Sequence, residues 1–386
     1  MKILQVIPYF YPAWKFGGPV SVAYSISKEL VERGHFVTVY TSDIVDEKTR
    51  VDNTFQTVDG VDVFYFKNLS LYAAKRKMFI TPSLVSAVKD NVNSFDIVHI
   101  HGNRTSQSLI LHYFLKKNSV PYIVQAHGGL PRISGNRLTR LYDLFFGYNL
   151  LRKASKVVAL SRVEVEQYVA MGVPEEKTEI IPNGIDLSEY TNLPPEGSFK
   201  NKFGIGDDEK IVLYVGRIHE SKGLGLLAHA FKIVSETVSN VRFVIVGPDD
   251  GYASEFSRLI SGLGLEEKVL LAGFVEKRDK LAAFVDGDVF VTPRFYGFPV
   301  TFLESCLAGC PIVTASNELD WINNNVGYVT EYFSGALAKA ITTLLQDEQI
   351  NRRFRNNCRR MIKDYDISTV THKLENLYKA VADQSF

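Results

Sequence analysis

Only three cysteines stand in the 386-residue sequence, Cys306, Cys310 and Cys358, an odd number without the paired spacing of a zinc site. That argues against a disulfide framework and for a reducing compartment. Long apolar runs are missing too: no stretch approaches the roughly 20 uninterrupted apolar residues a membrane span requires. Met1 to Phe10 carries one lysine and a short apolar run, then continues through Tyr11 and Trp14 into Gly17-Gly18 with no small-residue cleavage site. It reads as a first strand rather than a secretion signal. Short repeats and low-complexity tracts are absent. So is a Gly-x-Gly-x-x-Gly after a strand with an acid about 20 residues on, which speaks against a dinucleotide-dependent dehydrogenase. Net charge is only +1, but unevenly spread: residues 1–160 hold 20 Lys and Arg against 11 Asp and Glu, the remainder 24 against 32. A basic front half suits an anionic partner, a phospholipid face or a phosphate-bearing acceptor; surface charge that drifted apart between two domains explains it as well. The excess is too modest, and too bare of recognisable modules, for a nucleic-acid partner.

What is present is an ordinary globular balance, 46% apolar and 23% charged, in a length that suggests two domains. Lys2 to Pro8 reads as a strand, Ser21 to Arg33 as a helix closed by Gly34, and Phe36 to Thr41 as the next strand. Apolar strands follow at Ile97 to Ile100, Tyr122 to Gln125, Lys156 to Leu160 and Glu179 to Ile181, with helices at Thr105 to Lys117 and Leu138 to Arg152. Around Leu187 to Asp208 the pattern lapses into Pro194-Pro195, Gly197, Gly204 and Gly206, a linker by composition. It then restarts with strands at Ile211 to Val215, Val241 to Val246, Val269 to Leu271, Val289 to Thr292 and Ile312 to Thr314, and a helix from Gly223 to Ser235. The expected fold is α/β: two doubly wound, Rossmann-like domains in tandem, with strand C-termini facing a cleft.

The second half carries the clearer chemistry. Its first strand runs into Gly216-Arg217, and Lys222-Gly223 follows at a helix entrance. Glycines that admit a backbone approach, a guanidinium fork and a point charge make a place to hold phosphate, although surface cations near helix starts are common. Further on, the strand ending at Thr292 leads through Tyr296-Gly297-Phe298-Pro299 into an apolar helix with Glu304 in its middle. A carboxylate there needs partners, which ribose hydroxyls would supply; a surface glutamate is the plainer alternative. Asp249-Asp250 lacks a spacer and reads as a loop turn, and no Asp-x-Asp pair sits where it could hold a divalent ion, so no metal is expected.

Taken in order, Phe95-Asp-Ile-Val-His-Ile-His-Gly102, Val124-Gln-Ala-His-Gly128, Ile181-Pro-Asn-Gly-Ile-Asp186, Val215-Gly-Arg-Ile-His-Glu-Ser-Lys-Gly223 and the stretch from Gly297 to Val313 resemble the retaining glycosyltransferases of family 4, which have the GT-B fold. The resemblance covers essentially the whole chain. It implies an acceptor-binding domain over residues 1–190, a donor-binding domain over 191–365, and a last helix over 366–386 packed back on the first domain. It implies a nucleotide-diphosphate sugar as donor substrate, UDP-sugar favoured over GDP-sugar, with no cofactor, and a glycan or lipid-linked saccharide as acceptor in surface polysaccharide or glycoconjugate assembly. The place of work would be cytoplasmic, with peripheral association at an anionic membrane face.

Residue by residue, Arg217 and Lys222 look like the pair that grips the donor diphosphate and stabilises it as the leaving group. Glu304 matches the second acid of the family's Glu-x7-Glu motif, which meets the donor ribose. His127 matches the active-site histidine, and Gly17 and Gly18 the loop whose amides approach phosphate and acceptor. Asn183 and Asp186 are read as structural. Where the family has its first glutamate this chain has Tyr296, which cannot carry a charge near neutral pH, so recognition of the donor sugar departs from the pattern. In the retaining members attack comes on the face that the diphosphate leaves, and domain closure supplies the positioning.

His99 and His101 lie two apart on one strand and share a face; His101, at the strand end, is the candidate site residue and His99 the packed one. Arg104 and Arg132 are acceptor-binding candidates, with Arg137, Arg140, Lys75, Arg76 and Lys77 as further basic contacts. Phe145, Phe146 and Leu150 make the Leu138 to Lys153 stretch either an amphipathic helix at a bilayer or an ordinary packed helix with a basic outer face. Two rival functions remain: a nucleotide-sugar binding protein that has lost catalysis, favoured by Tyr296, and a GT-B sugar-nucleotide epimerase.

Overall fold

The computed structural model describes residues 1–46, 48–75, 78–130 and 137–383. The chain divides into two compact units, one of Met1–Asp186 joined by the segment from Ile367 on, the other of Leu187–Asp366. Among the described residues no helix is long and apolar enough to cross a membrane.

The first unit is built on eight strands: β1 (Lys2–Val6), β2 (Phe36–Ser42), β3 (Phe55–Val58), β4 (Val61–Phe66), β5 (Ile97–His101), β6 (Tyr122–Gln125), β7 (Lys156–Ala159) and β8 (Thr178–Ile180). They lie in the order β3-β4-β2-β1-β5-β6-β7-β8. All neighbours are parallel except β3 and β4, which form an antiparallel edge hairpin. The central strands are covered on both faces, so β5 and β6 are buried at every position, as apolar runs in a parallel sheet should be. β4, one strand in from the edge, alternates buried and exposed residues instead. Asp59 and Gly60 turn the hairpin with positive φ at both residues, the conformation a two-residue loop needs to match strand twist. Neither β3 nor β4 was among the expected strands; β3 is short and mixed, and in β4 Asp62 breaks the run that Val63 to Phe66 continues.

The last helix, Ile367–Asp383, returns to this unit. Ile367 N donates to Ile185 O (2.9 Å), Arg33 Nη2 to Ser368 O (2.7 Å), and Tyr378 OH lies 2.7 Å from His99 Nδ1. His99 is thus a buried packing residue, as its place deep in β5 suggested.

The second unit holds β9 (Lys210–Val215), β10 (Val241–Val246), β11 (Val269–Gly273), β12 (Val289–Thr292), β13 (Ile312–Thr314) and β14 (Gly327–Val329), all parallel, in the order β11-β10-β9-β12-β13-β14. Its core gathers Leu227, Phe231, Phe243, Val291 and Ile341, all fully buried. The stretch from Leu187 to Asp208 is more than the linker its composition suggested. It contains a helix, Ser198–Phe203, whose first amides are capped by Asp286: Gly197 N, Phe199 N and Lys200 N all donate to that carboxylate at 2.7 to 3.0 Å. The partner lies far along the chain, which is why prolines and glycines dominated the local reading. Cys306, Cys310 and Cys358 are free thiols, buried in the same unit.

Each sheet reverses its strand order once beside its first strand, between β1 and β5 in one unit and between β9 and β12 in the other. In open α/β sheets ligands bind outside the carboxyl ends of the strands at such a reversal. Most candidate residues fall at these two places.

Candidate active site

In the second unit, β9 ends in Gly216-Arg217 and β12 ends in the segment leading to Gly297; the two strands are hydrogen-bonded neighbours. Lys222 closes a 3-10 turn, Glu220–Lys222, and Gly223 then opens the helix Leu224–Thr237. Gly223 has φ +76°, and a Cβ there would come within 2.8 Å of Tyr332 Oη and 3.0 Å of Pro293 Cβ, so both conformation and space demand glycine. Arg217 is exposed and ion-paired with Asp250. Both side chains are well exposed, so the pair is weak and free to exchange partners. Asp249 caps the loop through its Oδ1 to Gly251, Tyr252 and Ala253 amides, in keeping with its reading as a turn.

On the β12 side the chain passes Tyr296, half-buried, and turns through Gly297 and Phe298 to Pro299, the N-cap of the helix Val300–Ala308. Phe298 is buried and packs at a tilt against Trp321 and Tyr365, with ring centroids 5.7 and 5.5 Å away. Its ring anchors the turn. Gly297 N donates to Glu318 Oε2 at 2.7 Å. Glu304 is buried; its Oε1 accepts from Lys280 Nζ (2.6 Å) and Tyr190 OH (3.4 Å), while its Oε2 is buried without a partner. A buried carboxylate oxygen with nothing to accept from is costly, about 1–3 kcal/mol, which makes it a candidate for ligand contact. Sequence reasoning missed Lys280, Tyr190 and Glu318, whose proximity arises only when loops after different strands come together.

In the first unit a cavity of about 230 Å³ opens at the ends of β1, β5 and β6, lined by Pro8, Tyr9, Pro19, Phe79, His101, Thr105 and His127 among others. Gly17, with φ +90°, caps the helix Gly18–Glu32 above it, and Pro19 fixes the first turn. His127 also has a positive φ, 52°, rare for a side chain of this kind and worth about 1–3 kcal/mol of strain. The loop is held there from three sides. Ala126 N donates to Tyr168 OH (2.9 Å) and Gly128 N to the buried Glu164 Oε1 (2.7 Å). Arg104 donates to the carbonyls of Gly129 and Leu130 and, as a fork, to both oxygens of the buried Asp143 at 2.9 and 3.0 Å. Its guanidinium is therefore spent on bracing the His127 loop.

His101 and His127 come together: His101 Nδ1 lies 2.8 Å from His127 Nε2, and His101 Nε2 lies 2.9 Å from Gln5 Oε1. Burial drives all three histidines of this group towards neutrality, His99 to about 3, His127 to about 4 and His101 well below the usual range. Each ring then carries one N–H. With the Gln5 carbonyl as acceptor, His101 is protonated on Nε2, His127 donates from its own Nε2, and His127 Nδ1 is left as an acceptor, buried and unpartnered.

The remaining basic candidates do not converge on these places. Arg132, Arg76 and Lys77 lie outside the described residues, as does the side chain of Lys75; Arg137 and Arg140 are exposed. The Leu138 to Lys153 stretch is interrupted by a π-turn, Asp143–Gly147. Leu150 and Asp143, the latter paired with Arg104, face inward, while Leu141, Leu144, Phe145 and Phe146 are exposed, so the outer face is apolar as well as basic.

Two family models cover most of the sequence: residues 16–189 match Glycosyltransferase Family 4, and residues 196–361 match Glycosyl transferases group 1. The chain is 25% identical over 98% of both lengths to an uncharacterized glycosyltransferase of Methanocaldococcus jannaschii. It is 23% identical, covering 83% of this chain and 84% of the other, to an Escherichia coli enzyme named UDP-Gal:alpha-D-GlcNAc-diphosphoundecaprenol alpha-1,3-galactosyltransferase. Among solved structures, Anabaena HepE in complex with UDP and glucose superposes with a TM-score of 0.77 at 20% identity, over 98% of this chain and all of that one. Fold and strand-end residues thus define a transferase enzyme of the GT-B class. Within that class the chain belongs to the family 4, group 1 glycosyltransferases.

Proposed function

We propose that this enzyme is a retaining glycosyltransferase that takes a sugar from a nucleotide-diphosphate donor, a UDP-sugar before a GDP-sugar, and passes it to a glycan or lipid-linked saccharide. The observation that supports this best is the placement of two cations, Arg217 just after β9 and Lys222 just before a helix N-terminus, at the strand-order reversal of the second sheet. The printed names of the relatives point the same way: HepE was crystallised with UDP and with UDP-glucose, and the Escherichia coli relative is named for a UDP-sugar and a diphospho-lipid acceptor. Assembly of surface polysaccharide or glycoconjugate, on the cytoplasmic side and at the membrane face, fits such an acceptor.

The reaction breaks the bond between the anomeric carbon and the diphosphate oxygen, and the electron pair leaves with the diphosphate. Arg217 and Lys222 stabilise that growing charge as fixed donors, without a metal or cofactor. The acceptor oxygen attacks on the same face, and its proton passes to the departing diphosphate. Glu304 Oε2 accepts from the ribose hydroxyls, the Gly297-Phe298-Pro299 turn lines the donor site, and the Gly17-Gly18 amides approach phosphate and acceptor. His127 Nδ1 accepts a hydrogen bond from the reacting sugar, and the cavity beside it takes the acceptor.

A thermal-shift screen against UDP, GDP, ADP and their common sugar conjugates tests the reading. A strong shift with UDP supports it, and an added shift with one conjugate names the sugar. No shift with any nucleotide sinks it. Because Tyr296 stands where the family has its first glutamate, a binding protein without turnover is the second reading; donor consumption in the presence of saccharide acceptors separates the two.

A further inference from the structure

Glu318 stands in the loop after β13 and is half-buried. Its Oε2 accepts from Gly297 N at 2.7 Å, which fixes the carboxylate against the turn that follows Tyr296. No hydrogen bond reaches Oε1 among the described residues. Lys222 is near enough for its charge to act on this carboxyl. The glutamate therefore holds one oxygen in place and offers the other, within electrostatic reach of a cation assigned above to phosphate. Burial pushes its carboxyl up, while the Gly297 amide and Lys222 pull it down, so the group is partly withdrawn from water and its hydrogen bonds are correspondingly stronger.

A carboxylate in this position repels diphosphate, and its spare oxygen can only accept. The partner it fits is a neutral donor of hydrogen bonds set close to phosphate, namely a hydroxyl of the sugar carried by a sugar diphosphate. Tyr296, which precedes Gly297 in the chain, has a hydroxyl and no carboxylate, which leaves Glu318 as the carboxylate held on the turn. We propose that Glu318 is a specificity-determining residue that reads the hydroxyl pattern of the donor sugar through Oε1 while Gly297 holds Oε2. The inference rests on the donor-site reading above.

The test uses the full-length protein and Glu318→Gln, which is isosteric and can still accept from Gly297 N but presents an amide N–H₂ where the spare oxygen was. The expected result is a UDP affinity within about twofold of the parent, with kcat/KM for the preferred UDP-sugar lower by about 30-fold or more and its preference over the epimeric sugar largely erased. Glu318→Asp, which keeps the charge but draws it back, should show an intermediate loss, and a melting scan of each variant checks that the turn survives. A role confined to holding Gly297 would leave Glu318→Gln at parental turnover and selectivity, and that result overturns the proposal alone. If the parent protein binds no nucleotide and turns over no sugar nucleotide, the donor-site reading falls and this inference falls with it.

Discussion

His101 and His127 lie with their rings 14° from parallel, centroids 5.1 Å apart, and Nδ1 of the first 2.8 Å from Nε2 of the second. Two imidazoles this close, in a buried setting, cannot both be charged, and the structure keeps them neutral.

That neutrality has a sign. The folded pKa values of His99, His101, His112 and His127 all lie below the ordinary 6.5. As the pH drops through the unfolded value, the unfolded chain takes up protons that the folded chain refuses. Stability is full above about pH 6.5 and declines below it, down to the folded values near 4 and 3. The melting temperature should therefore fall between about pH 7 and about pH 5, before carboxylates contribute, and fall less in His101→Asn. A flat profile over that range would contradict the buried neutral group.

His127→Ala should leave UDP binding unchanged and abolish transfer, because the residue is assigned to the reacting sugar and not to the nucleotide. Normal turnover in that variant would make His127 structural.

Arg217→Ala and Lys222→Ala should each weaken UDP binding by more than about tenfold, roughly 1.4 kcal/mol or more. The opposite change is expected from Asp250→Asn, which removes the carboxylate that Arg217 pairs with in the absence of ligand. An exposed pair of this kind is worth under about 1 kcal/mol, so UDP should bind up to about fivefold tighter. Titration calorimetry reads both, and equal affinities across the set would displace these cations from the donor site.

Arg104→Ala leaves Asp143, which is fully buried, without its fork. Breaking a buried pair from one side costs about 3–5 kcal/mol, and Arg104→Lys should recover little because a point charge cannot span both oxygens. Denaturant unfolding followed by tryptophan-independent circular dichroism measures this. A loss confined to acceptor affinity, with stability intact, would return Arg104 to the role the sequence first suggested.

The sequence announced most strands because parallel strands covered on two faces are largely apolar, as β5, β6, β10 and β12 are. It hid β3, short and mixed, and β4, broken by Asp62, although Asp59-Gly60 is a hairpin signal that periodicity alone does not use. The glycines and cations proposed to hold phosphate stand out in the sequence because their spacing is local. Gln5, Glu164 and Asp143 were not, since each acts on a partner more than thirty residues away in sequence, as Gln5 does on His101. Glu318 was hidden in the same way at shorter range, since its partner Gly297 lies 21 residues before it in the chain.

The return of the helix Ile367–Asp383 to the first sheet also sets an order of events during synthesis. On the ribosome, the second unit is complete once Asp366 has emerged, whereas the first still waits for Tyr378 to reach His99 and Glu375 to reach Arg33. A nascent chain thus holds its opening sheet unfinished until the end, with β5 uncovered on one side and in need of protection. A truncation that removes this helix would damage the first unit and spare the second.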